Sequence, residues 1–205
     1  METYIAAFIT LVVIIDPPGM APIFAGLTDG ASKKFKRTMA IKGSFIALLI
    51  LLFFGWAGQP FMNALGISID GLRVAGGIML FIIALEMVME KRTERKQEAA
   101  EKLDDYFEDI SVFPIALPLL AGPGSIATIM ILMNNQEGNL MGQVMVMSAL
   151  LSVIFLTLIA LLIAPQMMAL LGPSVNAVIT RVLGVVLAAL AAQYVLEGVQ
   201  GFYAF

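Results

Sequence analysis

The chain has 205 residues, 60% of them apolar and 13% charged, and its mean hydropathy is +0.95. A soluble domain carries about 25% charged residues, so this chain has more apolar surface than one aqueous core can hide, and a bilayer is the expected solvent. The absence of Cys and His excludes disulfides, zinc–thiolate clusters, thiol nucleophiles, His-based metal sites and a Ser-His-Asp triad, and a net charge of −3 with a pI of 4.9 points to no nucleic-acid partner.

A membrane-spanning helix needs about 20 mainly apolar residues, so gaps between charges mark the spans. The opening Met1-Glu2-Thr3-Tyr4 has no basic n-region, and the first apolar run is expected to persist as a helix rather than be cleaved. That run, residues 3–28, contains one charge, Asp16. The second span lies in the charge-free gap between Lys42 and Asp70, and the third runs from about Gly71 to Glu90. Residues 90–109 are nearly all polar and form the hydrophilic connection, assigned as 91–109, between a first half (1–90) and a second half (110–205). Glu98 and Lys102 have the spacing of a helical i,i+4 pair, consistent with a solvated helix or loop. A fourth span fits the charge-free residues 110–136. Pro165 and Gly172-Pro173 divide the next long gap into a fifth span at roughly 143–164 and a sixth at roughly 175–198. The predicted class is an all-α membrane protein of six helices.

Ten of the twelve basic residues cluster in two connections: Lys33, Lys34, Lys36, Arg37 and Lys42, then Lys91, Arg92, Arg95, Lys96 and Lys102. Basic loops stay cytoplasmic. Six alternating helices put both clusters on one side, so both termini are expected outside.

The halves repeat. Arg73-Val74-Ala75-Gly76 matches Arg181-Val182-Leu183-Gly184, and Leu65-Gly66-Ile67-Ser68 matches Leu171-Gly172-Pro173-Ser174. Glu86-Met87-Val88-Met89-Glu90 parallels Gln193-Tyr194-Val195-Leu196-Glu197, with all three offsets between 106 and 108 residues. Asp16-Pro17-Pro18-Gly19 in span one corresponds to Ala121-Gly122-Pro123-Gly124 in span four, at an offset of 105. Asp16 and Pro123 are each the fourteenth residue of their windows, which places both Pro-Gly breaks at mid-membrane. Three helices per half is an odd number, so the second half inserts upside down. Paired inverted repeats with interrupted helices 1 and 4 are a transporter architecture, because freed backbone groups at membrane depth are tolerated only inside protein or beside a polar cavity.

Each second half-helix points its N terminus at the midplane, where unpaired N–H groups and the dipole favour an anion. The N–H groups of Met20 and Ala21, and of Gly124, Ser125 and Ile126, are candidate carboxylate ligands. The carbonyls ending the first half-helices, together with Asp16, suit an ammonium group or a cation. Ser125 and Thr128 add hydroxyls within one turn. A carboxylate at the bilayer centre costs about 3 kcal/mol or more, which makes Asp16 the leading functional residue; its alternative role is to cap the following half-helix. Arg73 and Arg181 occupy matching repeat positions outside the basic clusters. They either snorkel to the interface or pair with Asp16 or a half-helix end as coupling or gating groups. Glu86 and Glu197 are expected to be interfacial, Gly76, Gly77 and Gly184 to permit close helix packing, and the fourteen Met residues to fill core or face lipid rather than bind metal.

Asp16-Pro17-Pro18-Gly19-Met20-Ala21-Pro22-Ile23-Phe24 resembles the D-P-x-G-x-x-P-I-F signature of the MarC/SnatA family of integral membrane proteins. Pro118-Leu119-Leu120-Ala121-Gly122-Pro123-Gly124 resembles that family's second signature, P-L-L-A-G-P-G, and the likeness extends over the whole chain. The resemblance implies kinship with lysine-exporter-like carriers and transport of small neutral amino acids, glycine and alanine above all, coupled to H+ or Na+ and without an organic cofactor or bound metal. It implies an address in the cell inner membrane. Substrate contact carries over onto Asp16, Pro17, Pro18, Gly19 and Met20, and onto Gly122, Pro123, Gly124 and Ser125. The partners are then a small neutral amino acid, the lipid bilayer and, as a homo-oligomer, a further copy of the chain. A channel or an exporter for another small polar or zwitterionic solute is the alternative; an enzyme is disfavoured, since Asp16 has no mid-membrane catalytic companion.

Overall fold

The computed structural model describes residues 1–89 and 109–203, with the backbone alone for residues 170–174 and 176. The basic cluster from Lys91 to Lys102, the Glu98/Lys102 pair and nearly all of the 91–109 connection lie outside the described residues, and the side chains of the Leu171–Ser174 repeat match are not described. The described residues are helical, in eight segments: α1 (Glu2–Ile15), α2 (Pro17–Leu27), α3 (Lys33–Ala64), α4 (Ile69–Val88), α5 (Ser111–Leu120), α6 (Pro123–Asn134), α7 (Leu140–Leu162) and α8 (Ala164–Tyr203). A chain in lipid must satisfy its backbone polar groups internally, which is why Val- and Ile-rich runs that suit strands in water become helices here.

Local chemistry sets the ends. Ser32 accepts from the Phe35 N–H at 3.2 Å to start α3, Ser68 from the Gly71 N–H at 3.1 Å to start α4, and Asn139 from the Gly142 N–H at 3.1 Å to start α7. The turns before α4 and α7 use Gly66 and Gly138 at φ of 70° and 76°, a region that L side chains avoid.

By length and composition, five stretches can cross a bilayer: Glu2–Leu27 (α1 with α2), α3, α4, α7 and Ala177–Tyr203 of α8. Segments α5 and α6, bent by 57° at their junction, make a sixth when taken as one span. Two expectations need correction. The fourth span is not a regular helix before its break. Pro114 and Pro118 remove two N–H groups and force the residues before them, Phe113 and Leu117, into extended geometry (φ −128° and −123°). The ladder widens around them to i→i+5 bonds, Ile115 N–H to Ile110 O at 3.3 Å and Ala121 N–H to Ala116 O at 2.8 Å. Nor do Pro165 and Gly172-Pro173 interrupt the helix, although the two spans they were expected to divide are separate, Leu140–Leu162 and Ala177–Tyr203. α8 starts at Ala164, one residue after α7, and runs through both prolines. Pro165 falls in the first turn, where its missing N–H has no partner to lose, and Met167 N–H already bonds Ile163 O at 2.8 Å.

Most of the larger helix contacts recur when the two halves are exchanged, although the contacts of α1 with α6 and α8 have no counterpart of that size at α5. α1 lies on α7 as α5 lies on α3; α2 lies on α8 and α7 as α6 lies on α4 and α3; α3 meets α7, and α4 makes its most extensive contact with α8. That last contact is close because glycines line it. A Cβ on Gly77 would lie 2.8 Å from Ala191 O, and one on Gly184 would lie 2.8 Å from Met87 Cβ. The outer faces are apolar: Phe45, Leu49, Phe53 and Trp56 form an exposed stripe along α3, as Leu151 and Phe155 do on α7. Such a surface suits contact with lipid.

Candidate functional site

Asp16 is the single residue between α1 and α2. It takes a left-handed conformation (φ 57°, ψ 63°) that ends α1, with its N–H bonding Val12 O at 2.9 Å. A short polar side chain tolerates this geometry because it can bond locally. Here its carboxylate Oδ1 accepts from the Gly19 N–H at 3.1 Å and caps α2. Asp16 is buried, 2% exposed. Gly19 has no substitute: a Cβ there would overlap the Asp16 carboxylate.

This arrangement closes the N terminus of α2. Pro17 and Pro18 carry no N–H, Gly19 donates to Asp16 Oδ1, and Met20 donates to Asp16 O at 3.0 Å. Ala21 lies one position further in, where the α-helical ladder begins. The donors of Met20 and Ala21, expected to meet an anion, are therefore spent on the helix itself. Met20 is buried with Ile15, Ala21 and Phe24 in the main apolar cluster.

The second junction is built differently. α6 starts at Pro123 after Gly122, which has extended backbone and no side chain to cap with. Ile126 N–H closes on Gly122 O at 3.0 Å, so Ile126 too is spent. Pro123 has no N–H, and the donors of Gly124 and Ser125 are the ones with no side-chain cap. Gly124 and Ser125 are buried, while Pro123 is exposed. One turn on, the Thr128 hydroxyl is fully buried without a hydrogen-bond partner among the described residues, a condition that costs about 1–3 kcal/mol and demands an explanation. The two junctions share one apolar surround: Ile15 and Met20 beside the first belong to the same buried cluster as Leu120 and Ala121 beside the second. α1 also touches α6 directly.

The matched arginines part company. Arg73 on α4 is half-buried; its guanidinium donates to Asp70 at 2.8 Å, and to Asn135 at 2.6 Å and Asn134 at 3.4 Å at the end of α6. Its ion pair is with Asp70 of its own helix, and it meets the end of α6 away from the junction rather than Asp16. Arg181 lies exposed on α8. Outside the spans, Asp109 is held well below the ordinary carboxylate range, at about 2, first by the Ser111 hydroxyl and then by the Lys42 ammonium at 2.9 Å.

A polar cluster at the far end of α6 was missed by sequence reasoning. Gln59 of α3 donates to Glu137 at 2.8 Å, and Asn134 donates to the same carboxylate oxygen at 3.3 Å. The available signal was the spacing: Gln59 and Asn63 are four apart at the end of an apolar helix, and Asn134 and Glu137 three apart.

Residues 1–203 match the family described as MarC family integral membrane protein. Among curated proteins, the chain is 36% identical to a UPF0056 membrane protein of Archaeoglobus fulgidus over 97% of its own length and 92% of the relative's. It is 35% identical to a UPF0056 membrane protein of Methanocaldococcus jannaschii over 98% of both chains, and 33% identical to one of Aquifex aeolicus over 96% and 92%. No solved structure matches. With multiple apolar helices, a buried acidic junction and a match over nearly its whole length, this chain belongs to the MarC family of integral membrane proteins.

Proposed function

We propose that the protein is a secondary transporter of small neutral amino acids, glycine and alanine, working by alternating access in the cell inner membrane with both termini outside. Its two halves are read as inverted three-helix repeats, with α1/α2 and α5/α6 as the interrupted spans. The observation that carries the reading is the chemistry at the start of α6. Two uncapped N–H groups, Gly124 and Ser125, stand one turn from a buried hydroxyl on Thr128 that has no partner. A carboxylate at the N–H groups would use the positive helix end, and the hydroxyl would contribute a further bond. Asp16, buried at the corresponding junction of the other half, supplies the opposite charge for an ammonium group or a coupling H+ or Na+. The packing supports the repeat in that each half's first span leans on the other half's later helices. Burial of Asp16, Ser125 and Thr128 fits a site that opens to each side only by relative motion of the halves.

The test is uptake of radiolabelled glycine into proteoliposomes under imposed proton or sodium gradients. Saturable uptake driven by one gradient, competed by alanine and lost in Asp16→Asn, is expected. Counterflow, with unlabelled glycine driving labelled glycine uphill, separates a carrier from a channel. Folded protein that neither binds nor moves any small amino acid would sink the substrate assignment.

A further inference from the structure

A second polar site lies away from the helix junctions. The C-terminal part of α3, the end of α6 and the first turn of α7 line an open cleft of about 320 Å³, with Glu137 exposed at its wall. That volume is within the size range of small-molecule sites. Its floor is Met130 and Met133, and its walls carry Gln59, Asn63, Asn134 and Gln143. Glu137 is the charged group in the wall. Its carboxylate gathers the amides of Gln59 and Asn134, 2.8 and 3.3 Å away, so an acidic group is held in place among neutral polar side chains. The end of α6 adds the negative pole of a helix dipole to the same space. Arg73 reaches Asn134 as well, but Asp70 neutralises it at 2.8 Å. The chemistry selects an ammonium, not an anion.

Location gives the cavity a use. Met130, Asn134 and Glu137 lie on one face of α6 and its extension, with Met130 six residues beyond Gly124, or about 9 Å along the helix. The same helix thus holds the candidate carboxylate site at one end and this acidic cavity towards the other. We propose that the cavity is a second binding station, for the ammonium end of a small zwitterion or simple amine, on the face opposite the basic connections. Its place on a transport route rests on the function proposed above; its chemistry does not.

The chain's single tryptophan, Trp56, lines the cavity and reports on it. Full-length protein in lipid nanodiscs is titrated with methylammonium, glycine and acetate while Trp56 emission is followed. Methylammonium and glycine are expected to give saturable changes that acetate does not. Glu137→Gln, which keeps size and hydrogen bonding, is expected to weaken the methylammonium response of Trp56 at least about tenfold. A silent Trp56, an equal response to acetate, or an unaltered titration in Glu137→Gln overturns the proposal. In proteoliposomes, Glu137→Gln is expected to raise the apparent KM for glycine with Vmax unchanged. Absence of glycine transport in the wild type counts against the function proposed above, and the Trp56 titration still decides the cavity.

Discussion

The two helix junctions occupy corresponding places in the halves yet solve the same problem in opposite ways. At the first, one residue in a left-handed conformation ends α1 and its own carboxylate caps α2, so the apolar stretch Glu2–Leu27 passes as one span. At the second, two prolines unravel the ladder beforehand, Gly122 leaves α6 uncapped, and the axis turns by 57°. One junction brings a charge and uses its donors; the other keeps donors and brings no charge. A zwitterion needs both kinds, so under the proposed function the asymmetry would divide the labour: cation chemistry at Asp16, anion chemistry at Gly124 and Ser125.

The sharpest way to break this comparison is to separate charge from cap at Asp16. Asp16→Asn tolerates the left-handed geometry and still caps, so the fold is expected to persist while glycine uptake falls about a hundredfold, equivalent to about 2.7 kcal/mol. Asp16→Ala is expected to lose uptake and also about 0.5–2 kcal/mol of stability with the cap. Thermal unfolding in detergent beside uptake checks both, and full uptake in Asp16→Asn would reduce the residue to a structural cap.

Glycines sharpen it next. Gly19→Ala sets a methyl against the capping carboxylate and is expected to cost about 1–3 kcal/mol. Gly124→Ala meets only the flexible ends of Ile83 and Leu80, at 2.9 and 3.0 Å, and no capping group. It is expected to melt closer to the wild type, and equal losses at both positions would contradict the account of a rigid first junction.

Thr128→Val tests the second junction. It removes a buried hydroxyl without a partner, so stability should hold or rise by about 1 kcal/mol, while half-saturation for glycine rises about tenfold. Unchanged uptake would leave the anion site to the two N–H groups alone.

The smallest effect lies outside the spans. Asp109, depressed to about 2, stabilises the fold above the ordinary carboxylate pKa of about 4, and that contribution disappears as pH falls through about 2. Wild type and Asp109→Asn are expected to differ slightly in melting temperature above pH about 4 and to converge towards pH about 2. The gap is small because both partners are half exposed.

Much of the fold was legible because a charge in lipid is so costly that charge-free windows locate the helices. Asp16-Pro17-Pro18-Gly19 was legible as a junction for the same kind of local reason, since proline cannot continue a hydrogen-bonded ladder. Sequence alone determined the class, the apolar helices and the junction residues, each set by interactions within a few positions along the chain.

Only the tertiary structure decided which donors remain after those junctions form. The closure of Met20 and Ile126 depends on the backbone path through Asp16 and Gly122, which composition does not specify. The partners of Arg73, 61 and 62 residues away, were likewise unreadable, as was the pairing of Gln59 with Glu137 across 78 residues. The physical reason is that windows of hydropathy constrain how a segment meets lipid. They say nothing of which helices face each other, and in this chain the site chemistry is made where helices meet.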